Sequence, residues 1–403
     1  MDRFGSFLRP IETPKAPPGL IELCLDSDLG GPSGGIGIVP RDLSHLRLLE
    51  GIDAEKSLSR VGLLFTLCRM AQTTLAREAL CVAQSRPILR TERREAEWKV
   101  LKESLLESLR TVLTPPGSSL PPGDRGFADF RALANGLPEE NPDTPFWRTF
   151  REVCERSVFG APSSRFVKME SPKQWDQWAQ SGIKGETTPV SLLARELINE
   201  KRIEDVSVAE LTMQRITEDR EVIVGSLNNV HFLTHPHLRG VFHETGPKSR
   251  MRSHPLVLSL DSAARPLSAR LASRLLELAA WAGEGPRMAD KSLLFGITSA
   301  SPSPGTGLAW AETARGVLVH LATVHNGQTG IYRILAPTEW TFHPEGGPFK
   351  RWVTNRNGLS GTGEKSAASN GLRESLDRAL WIFDPCTPVR FSQEVKMGER
   401  KNA

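Results

Sequence analysis

Five thiols and a run of histidines are the side chains of this 403-residue chain with the clearest capacity for metal chemistry. The cysteines are Cys24, Cys68, Cys81, Cys154 and Cys386. They are odd in number and far apart, and no two form a CxxC pair. That pattern predicts neither a disulfide framework nor a locally built zinc site. Any cysteine metal site must be assembled by the fold from distant segments. Cys386 follows Asp384-Pro385 as a lone thiol near a predicted helix end. Cys68 lies in Leu63-Leu64-Phe65-Thr66-Leu67-Cys68, and a cysteine on an apolar helix is by itself more often inert packing. Five of the nine histidines, His231, His235, His237, His243 and His254, lie close together. His231 and His235 would share a helix face, yet Pro236 argues against a continuous helix there. Two or three of them could take a metal. The ordinary alternative is a loop whose histidines cap, pack or face solvent. Trp175 and Trp178 read as packing rather than a binding platform.

These groups must be positioned by elements that the spacing predicts. Leu58–Ser85 carries one apolar face at helical period through Leu64, Leu67, Ala71, Leu75 and Ala79. Thr91–Leu113 is a second helix, stopped by Pro115, Pro116 and Gly117. Further helices are predicted at Phe146–Val158, Val190–Lys201, Leu267–Ala282 and Leu372–Phe383. Gly19–Leu25 with Gly35–Val39 reads as a hairpin across a glycine-rich turn. Gly316–Val324 with Ile331–Leu335 is the clearest strand pair, with His325-Asn326-Gly327 as turn residues. Residues 1–18 read as a proline-rich flexible arm, and 114–145, 299–307 and 358–371 as loops. No internal repeat is visible. The expected fold is α+β and mainly helical, a single domain over 19–403 with small β-hairpins.

Composition narrows the function. Lys and Arg number 51 against 47 Asp and Glu, a net charge of +4, too balanced to imply a nucleic-acid partner. No apolar run reaches membrane-spanning length and no signal peptide opens the chain, so a cytoplasmic location is expected.

Three segments together resemble the large subunit of nickel-iron hydrogenases. The longest is Ala311-Glu312-Thr313-Ala314-Arg315-Gly316 with His320, then Gly330-Ile331-Tyr332-Arg333 and Pro337-Thr338-Glu339-Trp340. It is similar to the family's EAPRG, histidine, hairpin and PTTWN succession, with Ala314 in place of the proline. Asp384-Pro385-Cys386 matches the start of the family's DPCxxCxxH, where Val389 replaces the second cysteine and Ser392 the histidine. The stretch from Leu63 to Gln72 can be laid on RxCGxC and its later histidine. Cys68 then takes the second cysteine position, Phe65 the first, and Gln72 the histidine. The family's proton-transfer glutamate falls near Ala16 and Pro17 and is missing.

The resemblance covers the two ends of the chain and extends best to the degenerate relatives known as HupK or HoxV proteins, which act in hydrogenase maturation. It implies a hydrogenase-large-subunit-like helical core and a non-catalytic scaffold. The scaffold would hold an Fe(CN)2(CO) unit transiently and pass it to the immature large subunit. Cys68 and Cys386 are the implied metal ligands. Nickel, which needs four thiolates in the family, is not expected. Arg315 and Thr338 are the implied donors to the cyanide nitrogens, which a guanidinium fork and a hydroxyl suit. The implied partners are the accessory chaperone that delivers the iron unit and the large subunit that receives it. Two other classes stay open: a metal-free docking protein of the same fold, and a divergent active large subunit.

Overall fold

A computed structural model describes residues 19–25, 36–116, 125–139, 141, 143–182, 187–199, 202–203, 206–285, 296–357 and 365–393. The expected arm at 1–18 and the turn at 26–35 lie outside the described residues. The strands are β1 Ile21–Leu25, β2 Ile36–Val39, β3 Ile52–Asp53, β4 Ala209–Glu210, β5 His243–Glu244, β6 Ile297–Ala300, β7 Thr306–Thr313, β8 Gly316–His325, β9 Gln328–Leu335 and β10 Val389–Gln393. Helices outnumber them, and the mainly helical α+β class expected from the sequence is the class observed. None of the described helices is long and apolar enough to cross a membrane.

The hairpin of β8 and β9 is the centre of a five-stranded antiparallel sheet, ordered β3-β9-β8-β7-β6. The pleat divides its side chains between two cores. Ala309, Ala311, Leu318 and Ala322 face the main core, while Leu308, Trp310, Val317 and Val319 face a second one built with Ile223, Leu227 and Phe232. The small residues have a purpose. A helix, α2 (Arg69–Ala83), packs on that side so closely that a Cβ on Gly307 would overlap the Ala79 carbonyl. Strand β7 escaped the sequence reading because its alternation is of small against large apolar residues, not apolar against polar.

Three expectations are corrected. The single helix predicted over Leu58–Ser85 is two: α1 (Ala54–Leu64), then a break at Phe65–Cys68, then α2. Phe65 is extended, and the new helix start is satisfied from a distance, as described below. The loop predicted over 114–145 contains a helix at Arg125–Asn135, which seats Phe130 and Leu133 against the main core. The loop predicted over 358–371 is also shorter. Its last residues begin a helix, Lys365–Phe383, while 358–364 lie outside the described residues.

The predicted hairpin of β1 and β2 forms, and β10 adds to its other edge in parallel. Ile21 pairs with Val389 and Cys24 with Ser392. This pairing joins an early segment of the chain to a late one and anchors the segment that carries Cys386. Trp175 and Trp178 are fully buried packing residues, with Trp178 donating its ring N–H to the Phe159 carbonyl at 3.0 Å.

Candidate functional site

Cys68 stands at the N-cap position of α2, where the first backbone N–H groups have no helical acceptors. A cysteine caps poorly, and its side chain makes no capping bond here. The acceptor comes from α3 (Arg90–Leu113): the Glu103 carboxylate takes the Met70 N–H at 2.7 Å and the Ala71 N–H at 2.9 Å. That long-range cap starts α2 at this point and leaves the Cys68 sulfur free to face inward. No local periodicity could have shown it.

Cys386 is aimed by Asp384. The Lys365–Phe383 helix ends into Asp384, whose φ of 49° is left-handed, a conformation aspartate tolerates better than most residues. Arg315 grips this residue twice, Nε donating to its carbonyl at 3.0 Å and Nη2 to its carboxylate at 3.1 Å. Arg274 adds an Nη1 bond to the other carboxylate oxygen at 2.8 Å. Burial alone would raise the Asp384 pKa, but Arg315 and Arg274 outweigh it and hold the group below the usual aspartate value. Beyond the turn, Thr338 donates its hydroxyl to Cys386 Sγ at 3.0 Å and accepts the Cys386 N–H at 3.2 Å.

Arg315 itself is fixed by backbone contact. It sits in the tight turn from β7 to β8, against Gly246, where a Cβ would lie 2.5 Å from the Arg315 carbonyl oxygen. Val317 N–H, two residues on, bonds the Thr245 hydroxyl at 2.9 Å.

These placements converge. Cys68, Cys386 and Arg315 line one small cavity of about 20 Å³, together with Gln72, Glu103, Glu107, Ala336 and Pro337. Arg315 Nη2 is shared between Asp384 and Glu107, the latter at 3.3 Å. Among the described residues nothing takes its Nη1, which leaves two donors for the cavity. Thr338 is not on the cavity wall; its hydroxyl is committed to the sulfur of Cys386, a different contact from the one the resemblance implied for it.

The cavity is electrostatically uneven. Burial pushes the Cys68 thiol up to about 12, and charge on Cys386 and Glu103 pushes the same way; Gln72 and Arg315 pull it down. Glu103 is pushed up to about 7, chiefly by burial, with its two backbone bonds opposing. Arg41 was not visible in the sequence. It is buried, bonded through Nε to Glu339 at 2.6 Å, and close enough to both thiols that charge on either favours its protonation. No motif surrounds it; only its ion pair with the Pro337–Thr341 helix reveals it.

The other thiols play no part in this cavity. Cys154 is fully buried in the core, Cys81 is buried beside Leu80, and Cys24 receives the Ser392 hydroxyl at 3.5 Å. The histidines do not converge on a metal. His231 and His235 stack at 4.0 Å and His235 meets His343 edge-on, while His254 caps a separate helix. Among the described residues no group of three or more His, Cys, Asp or Glu is arranged to hold a metal ion.

No family model matches the chain. It is 29% identical over 362 residues to the hydrogenase expression/formation protein HupK of Rhizobium leguminosarum bv. viciae, covering 86% of this chain and 88% of that one. HupK of Bradyrhizobium diazoefficiens is 26% identical over 91% of the chain and 94% of its own length. HoxV of Cupriavidus necator is 30% identical over 46% of each. Among solved structures, a nickel-iron-selenium hydrogenase of Desulfovibrio vulgaris Hildenborough superposes with a TM-score of 0.51 at 12% identity, covering 87% of this chain and 92% of that one. At that identity the likeness is one of fold.

Proposed function

We propose that this chain, a degenerate relative of the hydrogenase large subunit of the HupK and HoxV type, serves hydrogenase formation as a non-catalytic scaffold for the iron unit of the metal centre. The Fe(CN)2(CO) unit is its cargo, held between Cys68 and Cys386 and then released to the immature large subunit. One observation carries the reading: two thiols more than 300 residues apart in sequence are brought to the same cavity, beside a buried arginine with donors to spare.

The chemistry of the cavity suits that cargo. Two soft thiolates are good ligands for iron and too few for the four-sulfur nickel site of the resemblance. Arg315 can offer Nη1 to a cyanide nitrogen without giving up Asp384. Because burial keeps Cys68 protonated, loading must displace its proton, so holding is conditional rather than permanent. Glu103, poised near neutrality on the same wall, is placed to receive it.

Leu63 and Leu67 are exposed on the stretch leading to Cys68, and Met70 follows it. Apolar side chains at the edge of such a cavity suit transient contact with the accessory chaperone that delivers the unit and with the large subunit that takes it. The same feature favours a second reading, a docking protein that carries no metal.

An infrared spectrum separates the two. The protein is purified without oxygen from cells carrying the maturation machinery, beside Cys68→Ser and Cys386→Ser. Carbonyl and cyanide bands in the parent that vanish in either variant are expected. Their absence in a parent that still co-purifies with maturation partners would establish the docking protein instead.

A further inference from the structure

A hydrogen-bond chain runs from Cys68 into the floor of the sheet. Gln72 Nε2 lies 3.7 Å from Cys68 Sγ, and Gln72 Oε1 lies 2.9 Å from His320 Nε2. The other ring nitrogen of His320, Nδ1, lies 2.9 Å from the Tyr332 hydroxyl. Gln72, His320 and Tyr332 are all buried, with no more than 1% of their surface exposed.

The direction of this chain follows from its far end. A buried phenol must give its proton to an acceptor. Among the described residues the Tyr332 hydroxyl has only His320 Nδ1. The imidazole is therefore the Nε2–H tautomer. That N–H needs an acceptor in turn, so the Gln72 carbonyl faces His320 and its NH2 faces Cys68. The residue that ends the chain, a sulfur, must accept.

We infer that Tyr332, His320 and Gln72 form a fixed relay that commits an amide donor to the Cys68 sulfur, selecting the thiolate or metal-bound form of that one ligand. Gln72 is a positioning residue, with no proton of its own to gain or lose. Burial holds His320 neutral, with its pKa pushed down to about 3, and pushes the Tyr332 hydroxyl up, so both ends of the relay keep one protonation state. The two thiols are thereby given different donors: a relay-fixed amide at Cys68 and the Thr338 hydroxyl at Cys386.

The effect on a bound iron unit rests on the function proposed above, but the relay is testable without it. In the metal-free full-length protein labelled with 15N-histidine, His320 is identified by the signal lost in His320→Gln. It should be the Nε2–H tautomer, and Tyr332→Phe should release it to a mixture. In Gln72→Met, which keeps the volume and removes the amide, the tautomer should persist because Tyr332 still sets it. An Nδ1–H tautomer in the parent overturns the relay, as does an unchanged tautomer in a folded Tyr332→Phe. If Tyr332→Phe does not fold, the parent and Gln72→Met decide the question.

In the loaded protein, a donor on sulfur draws electron density from the iron. Gln72→Met should therefore move the carbonyl band to lower wavenumber, with iron content retained. Bands that do not move refute the donor at Cys68 while leaving the scaffold reading intact. A parent without bands refutes the scaffold and leaves the tautomer result to judge the relay.

Discussion

Two regions of this molecule offer candidate metal ligands in their sequence, and the fold treats them differently. The thiols are sparse, two residues at opposite ends of the chain, and the fold brings them to one cavity. The histidines are dense, five within a short stretch, and the fold stacks two of them ring on ring without completing a group of three or more metal ligands among the described residues. At the cavity, each reactive atom is aimed by a buried partner: Glu103 starts the helix that carries Cys68, and Asp384 bends the chain that carries Cys386. In the histidine region the rings contact one another and apolar neighbours. Proximity in sequence supplies candidate ligands. Aiming them takes long-range polar contacts of the kind that Glu103, Asp384 and Arg315 supply at the thiol cavity.

The largest effect is expected where that aiming is done by buried charge. Asp384→Ala leaves Arg274 and Arg315 without their shared carboxylate, and breaking such a buried pair costs about 3–5 kcal/mol. Denaturant unfolding should show that loss, and anaerobic iron content should fall with it, because Cys386 loses its bend. A loss below 1 kcal/mol would mean that the cavity is not held by charge.

The histidine region should answer instead to acid. Burial, with the other histidines nearby, pushes His343 down to about 4 from its usual 6.5. The unfolded chain therefore binds this proton more readily than the folded one between those values. Stability from this group is full above pH 6.5 and is lost as pH falls toward 4, to a total of about 3 kcal/mol. His320, buried and pushed down further, loses stability in the same window, so the measurement is a difference. Unfolding free energy plotted against pH should be less steep for His343→Phe than for the parent below pH 6.5. Parallel curves would show that His343 does not titrate as its burial requires.

Much of the fold could be read from the chain, and the reason is local. The helices at Arg90–Leu113 and Pro266–Glu284 and the hairpin of β8 and β9 carry their period and their stop signals in their own residues. The break at Phe65–Cys68 could not be read, because the acceptor that permits it comes from Glu103. The candidate site divides in the same way. Cys68, Cys386 and Arg315 were reachable only through the family resemblance, and the structure places them on one wall-to-wall cavity. Asp384 was visible as a motif letter, but its work is done with Arg274, a residue in the middle of an otherwise ordinary helix. Arg41 had no sequence signal, and Gln72, His320 and Tyr332, though all named in the resemblance, gave no sign that they join, since each lies on a different element.

Smaller effects sharpen the contrast. Glu103→Ala removes the acceptor for two N–H groups at the start of α2, a loss of the capping kind, about 1 kcal/mol. The raised pKa of Glu103 tempers it, since keeping that buried carboxylate ionised at neutral pH already costs the fold something. Amide exchange should quicken at Met70 and Ala71 first, before any global change. Uniform exchange across α2 would mean that the helix start does not depend on Glu103.

The smallest effect is expected at His231, although its place in the sequence makes it the most metal-like histidine of the set. Its ring is exposed, stacks on His235, and completes no group of ligands among the described residues. Its substitution removes one ring contact and a repulsion that lowers the pKa of His235. These oppose each other at mildly acid pH, so His231→Ala should lie within about 0.5 kcal/mol of the parent. Iron content and the infrared bands should be unchanged in the same variant. If His231→Ala instead abolished iron retention while Cys386→Ser did not, the metal would belong to the histidines, and the cavity between the thiols would be packing with an unusual number of charges around it.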